Sequence, residues 1–132
     1  MRRRTGRATR CRSRTCVRAW TATPWPASRH LAARQQVDEQ VIDYAVRLVR
    51  ATRDYAGLAI GSGPRGALAL VRGARAAALI DGRSFVTPDD VKRIALPALR
   101  HRVALSPDAL LEGRTANDLL TDIVESTPAP RV

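Results

Sequence analysis

Lysine is nearly missing from this 132-residue sequence: of twenty-three basic residues, twenty-two are arginine and one, Lys92, is lysine. Because Lys92 follows Val91, no G-x-x-x-x-G-K-[ST] loop exists, and the chain has no lysine ammonium placed to reach the terminal phosphates of a nucleotide. Cysteine is equally scarce. Cys11 and Cys16 have no third or fourth cysteine to join them, and His30 and His101 are isolated, whereas a closed zinc site needs four ligands. No metal site is expected. Two cysteines make no disulfide framework, so a reducing cytoplasmic setting is expected. No apolar run approaches the ~20 residues that span a bilayer. The opening MRRRTGRATRCRSRTC has the charge of a signal-peptide start without the apolar stretch that should follow, and in composition it resembles an organellar transit peptide instead.

Acid is missing from one region only. Residues 1–36 hold ten arginines and no Asp or Glu, while residues 37–132 hold thirteen basic and twelve acidic side chains, a balance of +1 within a total of +11. A net charge of that size ordinarily points to nucleic acid or an anionic surface, but here it belongs to an arm and not to a folded face. The arm has no hydrophobic period, and its Trp20 and Trp25 flank a proline-containing stretch, so residues 1–36 are expected to be disordered. A frame shift or a misassigned start would produce the same random-looking mixture.

From Val37 the pattern changes. Asp38 can cap a helix whose apolar positions, among them Val41, Ala45, Leu48 and Val49, recur at helical spacing, with Val37 and Ile42 placed for a hydrophobic staple. This helix should end near Arg53, and Gly57, Gly61 and Gly63 mark a loop over residues 54–63. A second helix should open at Pro64 and stop at Gly82; with Leu68, Leu70, Val71, Leu79 and Ile80 pointing several ways, it should be central. Thr87-Pro88-Asp89-Asp90 opens a third helix that bends or ends near Pro97. Thr115 and Asp118 open a fourth, carrying Leu119, Leu120, Ile123 and Val124. The expected fold is all-α, a small four-helix bundle preceded by a disordered arginine-rich arm.

Residues 61–66, Gly-Ser-Gly-Pro-Arg-Gly, match G-x-G-x-x-G, and Asp81 sits where a dinucleotide fold would put its ribose-binding acid. The match lacks its context, since Leu58-Ala59-Ile60 is a meagre first strand and residues 83–86 a worse second. Leu79-Ile80-Asp81 faintly resembles a metal-binding strand end, but Gly82 stands where a catalytic glutamate would be. No nucleophile and base pair is present, and no catalytic residue is assigned.

Arg65 is the better candidate. A cation at a helix start opposes the helix dipole, at a cost up to about 1 kcal/mol, so helix stability does not explain it. Backbone N–H groups of that first turn together with a guanidinium would receive a phosphate oxygen well, with Ser62, Gly63 and Pro64 forming the supporting helix start. The competing reading is a solvated surface arginine, which physics alone favours.

Several spaced motifs add to this reading: Leu48-Val49-Arg50-Ala51-Thr52-Arg53, Gly61 to Gly66 running into Leu68-Ala69-Leu70, Asp81-Gly82-Arg83, Val86-Thr87-Pro88-Asp89-Asp90-Val91, Leu99-Arg100-His101-Arg102, Leu105-Ser106-Pro107 and Glu112-Gly113. In this order they resemble the C-terminal lid of MoxR-type AAA+ ATPases over residues 37–131. The resemblance implies a lid-type bundle, a lid of ATP binding and hydrolysis by a core absent from this chain, and a sensor 2 arginine at Arg65. ATP and Mg would enter only through that separate core, and the partners would be the AAA+ core domain or neighbouring subunits of a ring, with remodelling of a client as the outcome. Where the family has Ser-Pro-Arg-Ala this chain has Gly63-Pro64-Arg65-Gly66, and Gly66 should weaken the first turn by roughly 0.5–1 kcal/mol relative to alanine. A gene fragment without activity is one alternative. Another is a small helical protein that binds nucleic acid non-specifically through the arm.

Overall fold

Asp38 begins the folded helices as its side chain predicts: it accepts a hydrogen bond from the Gln40 amide at 2.8 Å, supplying one of the partners that a helix start lacks. The computed structural model describes residues 25–130, with side chains from residue 28 onward. The cysteine pair, most of the arginine arm and the nucleic-acid tether assigned to it lie outside those residues. The chain divides into a first unit, Met1–Leu31, and a second, Ala32–Val132. Helix α1 (Trp25–Ala33) occupies the end of the stretch expected to be disordered, and Gln36 is fastened by backbone bonds with Ser84 and Val86, both at 3.0 Å. Residues 25–36 are therefore structured. Alanines at positions 27, 32 and 33 suit a helix, and the Gln36 pairing is tertiary, invisible to local pattern.

The second unit contains α2 (Glu39–Asp54), β1 (Leu58–Ile60), α3 (Pro64–Ile80), α4 (Pro88–Leu99), β2 (Ala104–Leu105), α5 (Pro107–Leu111) and α6 (Ala116–Ser126). The four principal helices are those expected. The short α5, capped by the Ser106 hydroxyl, was not foreseen. The expected loop over residues 54–63 holds a short strand, which pairs antiparallel with β2, Leu58 opposite Leu105. A dinucleotide fold would need a parallel partner.

One core joins the helices: Val41, Tyr44 and Leu48 from α2, Leu70 and Ala74 from α3, Val91, Ala95 and Leu99 from α4, and Leu120 and Ile123 from α6. Each fully buried leucine contributes about 1.5–3 kcal/mol through removal from water. Helix α3 is not buried all round. Its inward face is made of Gly66, Leu70, Ala74, Ala77 and Ala78, while Leu68 and Ile80 remain 56% and 83% exposed. Small residues let α4 approach closely: a Cβ on Gly73 would lie 2.5 Å from Ile94 Cγ2. Of the two residues placed for a staple, Val37 packs on the core and Ile42 is 39% exposed. The third expected helix, α4, ends at Leu99, two residues past Pro97 and so near the expected stop.

Candidate functional site

The segment from Gly61 to Gly66 is clamped onto the last turn of α2. Thr52, fully buried, donates its hydroxyl to the Val49 carbonyl at 2.7 Å and accepts from the Ser62 amide at 2.9 Å. Arg53 Nε donates to the Ser62 carbonyl at 3.0 Å. Gly61 permits this approach, because a Cβ there would lie 2.5 Å from the Thr52 carbonyl oxygen. Gly66 has a parallel reason: its Cβ would sit 2.1 Å from Ser62 Oγ and 3.1 Å from Leu99 Cδ2. Two of the three glycines of the apparent dinucleotide fingerprint, Gly61 and Gly66, thus serve close packing. Beside the propensity cost expected of Gly66 stands a packing reason for glycine, since a Cβ there would require the buried Ser62 hydroxyl to shift.

Each residue singled out from the sequence has a distinct place. Ser62 is completely buried, its Oγ without a hydrogen-bond partner. Gly63 is the N-cap in extended conformation, with no side chain to cap the turn. Pro64 fills the first helical position and brings no N–H. Arg65 is exposed, and among the described residues its side chain makes no ion pair or hydrogen bond. The Gly66 amide is spent on the Gly63 carbonyl at 2.8 Å, so the first turn offers fewer free amides than expected; the Arg65 amide is one that makes no bond among the described residues. The arrangement is a guanidinium and an amide, presented together at the positive end of a 17-residue helix.

The other end of α3 is electrostatically closed. Arg83 donates to both oxygens of Asp90, at 2.8 and 2.6 Å, and to Asp81 at 2.9 Å, and Arg93 also reaches Asp81 at 3.2 Å. Asp90, buried, additionally accepts from the Thr87 amide and hydroxyl, each at 2.9 Å, completing the cap of α4. The Arg83 hydrogen bonds hold the Asp90 carboxyl down at about 2, with those from Thr87 adding to the effect against burial. Asp81 is likewise lowered, chiefly by Arg83. Asp81 is therefore committed to internal ion pairs and does not stand as a ribose or metal ligand. Among the described residues no three His, Cys, Asp or Glu side chains gather in a way that could hold a metal ion. No described helix is long and apolar enough to cross a membrane.

Comparison with known proteins gives the family of the chain. Residues 50–123 match the AAA lid domain family. YeaC of Bacillus subtilis is 35% identical over 95 residues, covering 72% of this chain and 30% of YeaC. The chaperone MoxR1 of Mycobacterium tuberculosis is 33% identical over 113 residues, covering 79% of this chain and 30% of MoxR1. A crystal structure of a candidate ATPase from Cytophaga hutchinsonii superposes with a TM-score of 0.73 at 26% identity, over 77% of this chain and 34% of that one. The chain spans about 30% of the length of these two curated relatives.

Proposed function

Because this chain belongs to the AAA lid domain family, in its MoxR-type form, we propose that it serves as the lid of an AAA+ ATPase whose nucleotide-binding core is supplied separately, and that Arg65 is its sensor 2 arginine. The observation that carries this reading is the contrast at Arg65: an exposed guanidinium with no carboxylate partner among the described residues, on a helix start that is otherwise tied to α2. The Arg65 helix start suits an anion, and in this reading ATP and its magnesium would be held by the core. When bound there, the nucleotide supplies the phosphoryl group that is transferred to water. Closure of the lid sets the Arg65 guanidinium against the terminal phosphate, where a charge-assisted hydrogen bond stabilises developing negative charge. Partners in this reading are the core and adjacent subunits of a ring, and lid motion transmits hydrolysis to a client protein.

The test is a graft of this chain onto an intact core of the family. Arg65→Ala should lower turnover by about tenfold or more, with unchanged helix content by circular dichroism. Equal turnover in parent and variant would return Arg65 to the status of a solvated surface residue.

A further inference from the structure

A groove of about 670 Å³ runs between α2 and α3. Its floor is Ile42, Val46 and Val49 from one helix and Ala67, Leu68 and Val71 from the other, including two of the large apolar side chains that the fold leaves exposed. Three arginines line it as well: Arg50, Arg53 and Arg75. None has a carboxylate partner among the described residues, and Arg75 Nε is buried without any hydrogen-bond partner. The two helices run antiparallel from the Arg53–Ser62 bond, so the groove extends from Arg53 and Pro64 at one end to Ile42 and Arg75 at the other. Eleven residues of helix make that length about 16 Å, three turns of a partner helix.

We propose that this groove binds an amphipathic helix from another protein, with an apolar stripe on the floor and carboxylates along its flanks meeting Arg50, Arg53 and Arg75. Charge selects the occupant. The chain's own first 36 residues carry ten arginines and no acid, and would be repelled. A second copy presenting the same face would bring the same unpaired cations. Backbone chemistry selects the conformation: both walls are helices whose main-chain groups are internally bonded, so an extended peptide would leave its own amides unpaired, whereas a helix arrives satisfied.

The experiment titrates the isotope-labelled full chain, without nucleotide, with two synthetic 15-residue helical peptides that share a leucine stripe and differ in glutamate or lysine flanks. The glutamate peptide should shift amide resonances around Ile42, Leu68 and Arg75 and bind at least about tenfold more tightly than the lysine peptide. Leu68→Ser, at an exposed position, should abolish binding, and the pair Arg50→Glu with Arg75→Glu should reverse the charge preference. Binding that ignores peptide charge would overturn the proposal. So would shifts confined to another face, or groove resonances that move on self-association of the chain alone.

Discussion

The two ends of α3 use arginine in opposite ways. At its C-terminal end Arg83 and Arg93 are matched by Asp81 and Asp90, and the charges are consumed in joining α3 to α4. At its N-terminal end Arg65 faces outward without an ion-pair partner among the described residues, and Arg53 spends one N–H on a carbonyl while its charge also goes unmatched. Closure at this second junction comes instead from neutral contacts: a threonine hydroxyl, a serine amide and two glycines that let chains touch. An arginine satisfied by its own chain is part of the scaffold; one held near a rigid element but left unsatisfied is available to something outside it. The two junctions should therefore fail differently when perturbed.

The largest stability effect is expected at the charged junction. Asp90→Asn keeps the shape and an acceptor for Thr87 but leaves the partly exposed Arg83 with Asp81 as its one carboxylate among the described residues, and should cost about 2–3 kcal/mol, read as a lower urea midpoint. The pH dependence carries the same information. The Asp90 carboxyl is held at about 2 against an ordinary 3.8, so its contribution is complete above the unfolded value and disappears as pH falls through the folded one. Wild-type stability should drop between about pH 4 and pH 2, and Asp90→Asn should flatten that part of the profile. An unchanged profile would break the contrast between the junctions, because the ion pairs would then be ornamental.

Much of this scaffold is written locally. Asp38, Pro64, Thr87-Pro88 and Thr115 with Asp118 each mark a helix start by chemistry that reaches only two or three residues, and the structure begins helices there. What escaped the sequence depends on distance. Leu58 pairs with Leu105, Gln36 with Phe85, and Arg83 with Asp90, partnerships that no periodicity specifies. The apolar side chains of α3 could not by themselves reveal which of them would stay outside, because the buried face was chosen by the small residues that let α4 close in. Arg65 was legible as an oddity, a cation at the wrong end of a helix. The clamp from Thr52 and Arg53 that fixes its setting was not.

At the neutral junction the sharper probe is Gly66→Ala. Helix propensity alone favours alanine by about 1 kcal/mol. The collision with Ser62 Oγ, where both partners are buried, should outweigh that gain and leave a net loss of about 1–2 kcal/mol. Ser62→Ala by itself removes a hydroxyl that has no partner and should be close to neutral. Combining the two removes the colliding atom and lets the alanine propensity appear, so the double variant should recover most of the loss. Additive effects in that cycle would mean that Gly66 and Ser62 do not meet.

The smallest expected effect is at Gly63, and it tests whether the neutral junction has room for a capping side chain. Gly63 is an N-cap with φ −86° and ψ −178°, a conformation open to any residue, and a Cβ there would meet nothing within 4 Å. Serine can therefore be added without strain. Its hydroxyl would accept from the Arg65 amide, since Pro64 has none to give and the Gly66 amide is spent on the Gly63 carbonyl. Relative to glycine the gain should be a few tenths of a kcal/mol, or a rise in melting temperature of about 1–3 °C for a domain of this size. Because the new hydroxyl engages a first-turn amide and not the guanidinium, grafted Gly63→Ser should keep its dependence on Arg65 while holding the turn more firmly. A serine that destabilised the chain would show that the cap is crowded or strained, and that the helix start is not the open, pre-set end on which the reading of Arg65 depends.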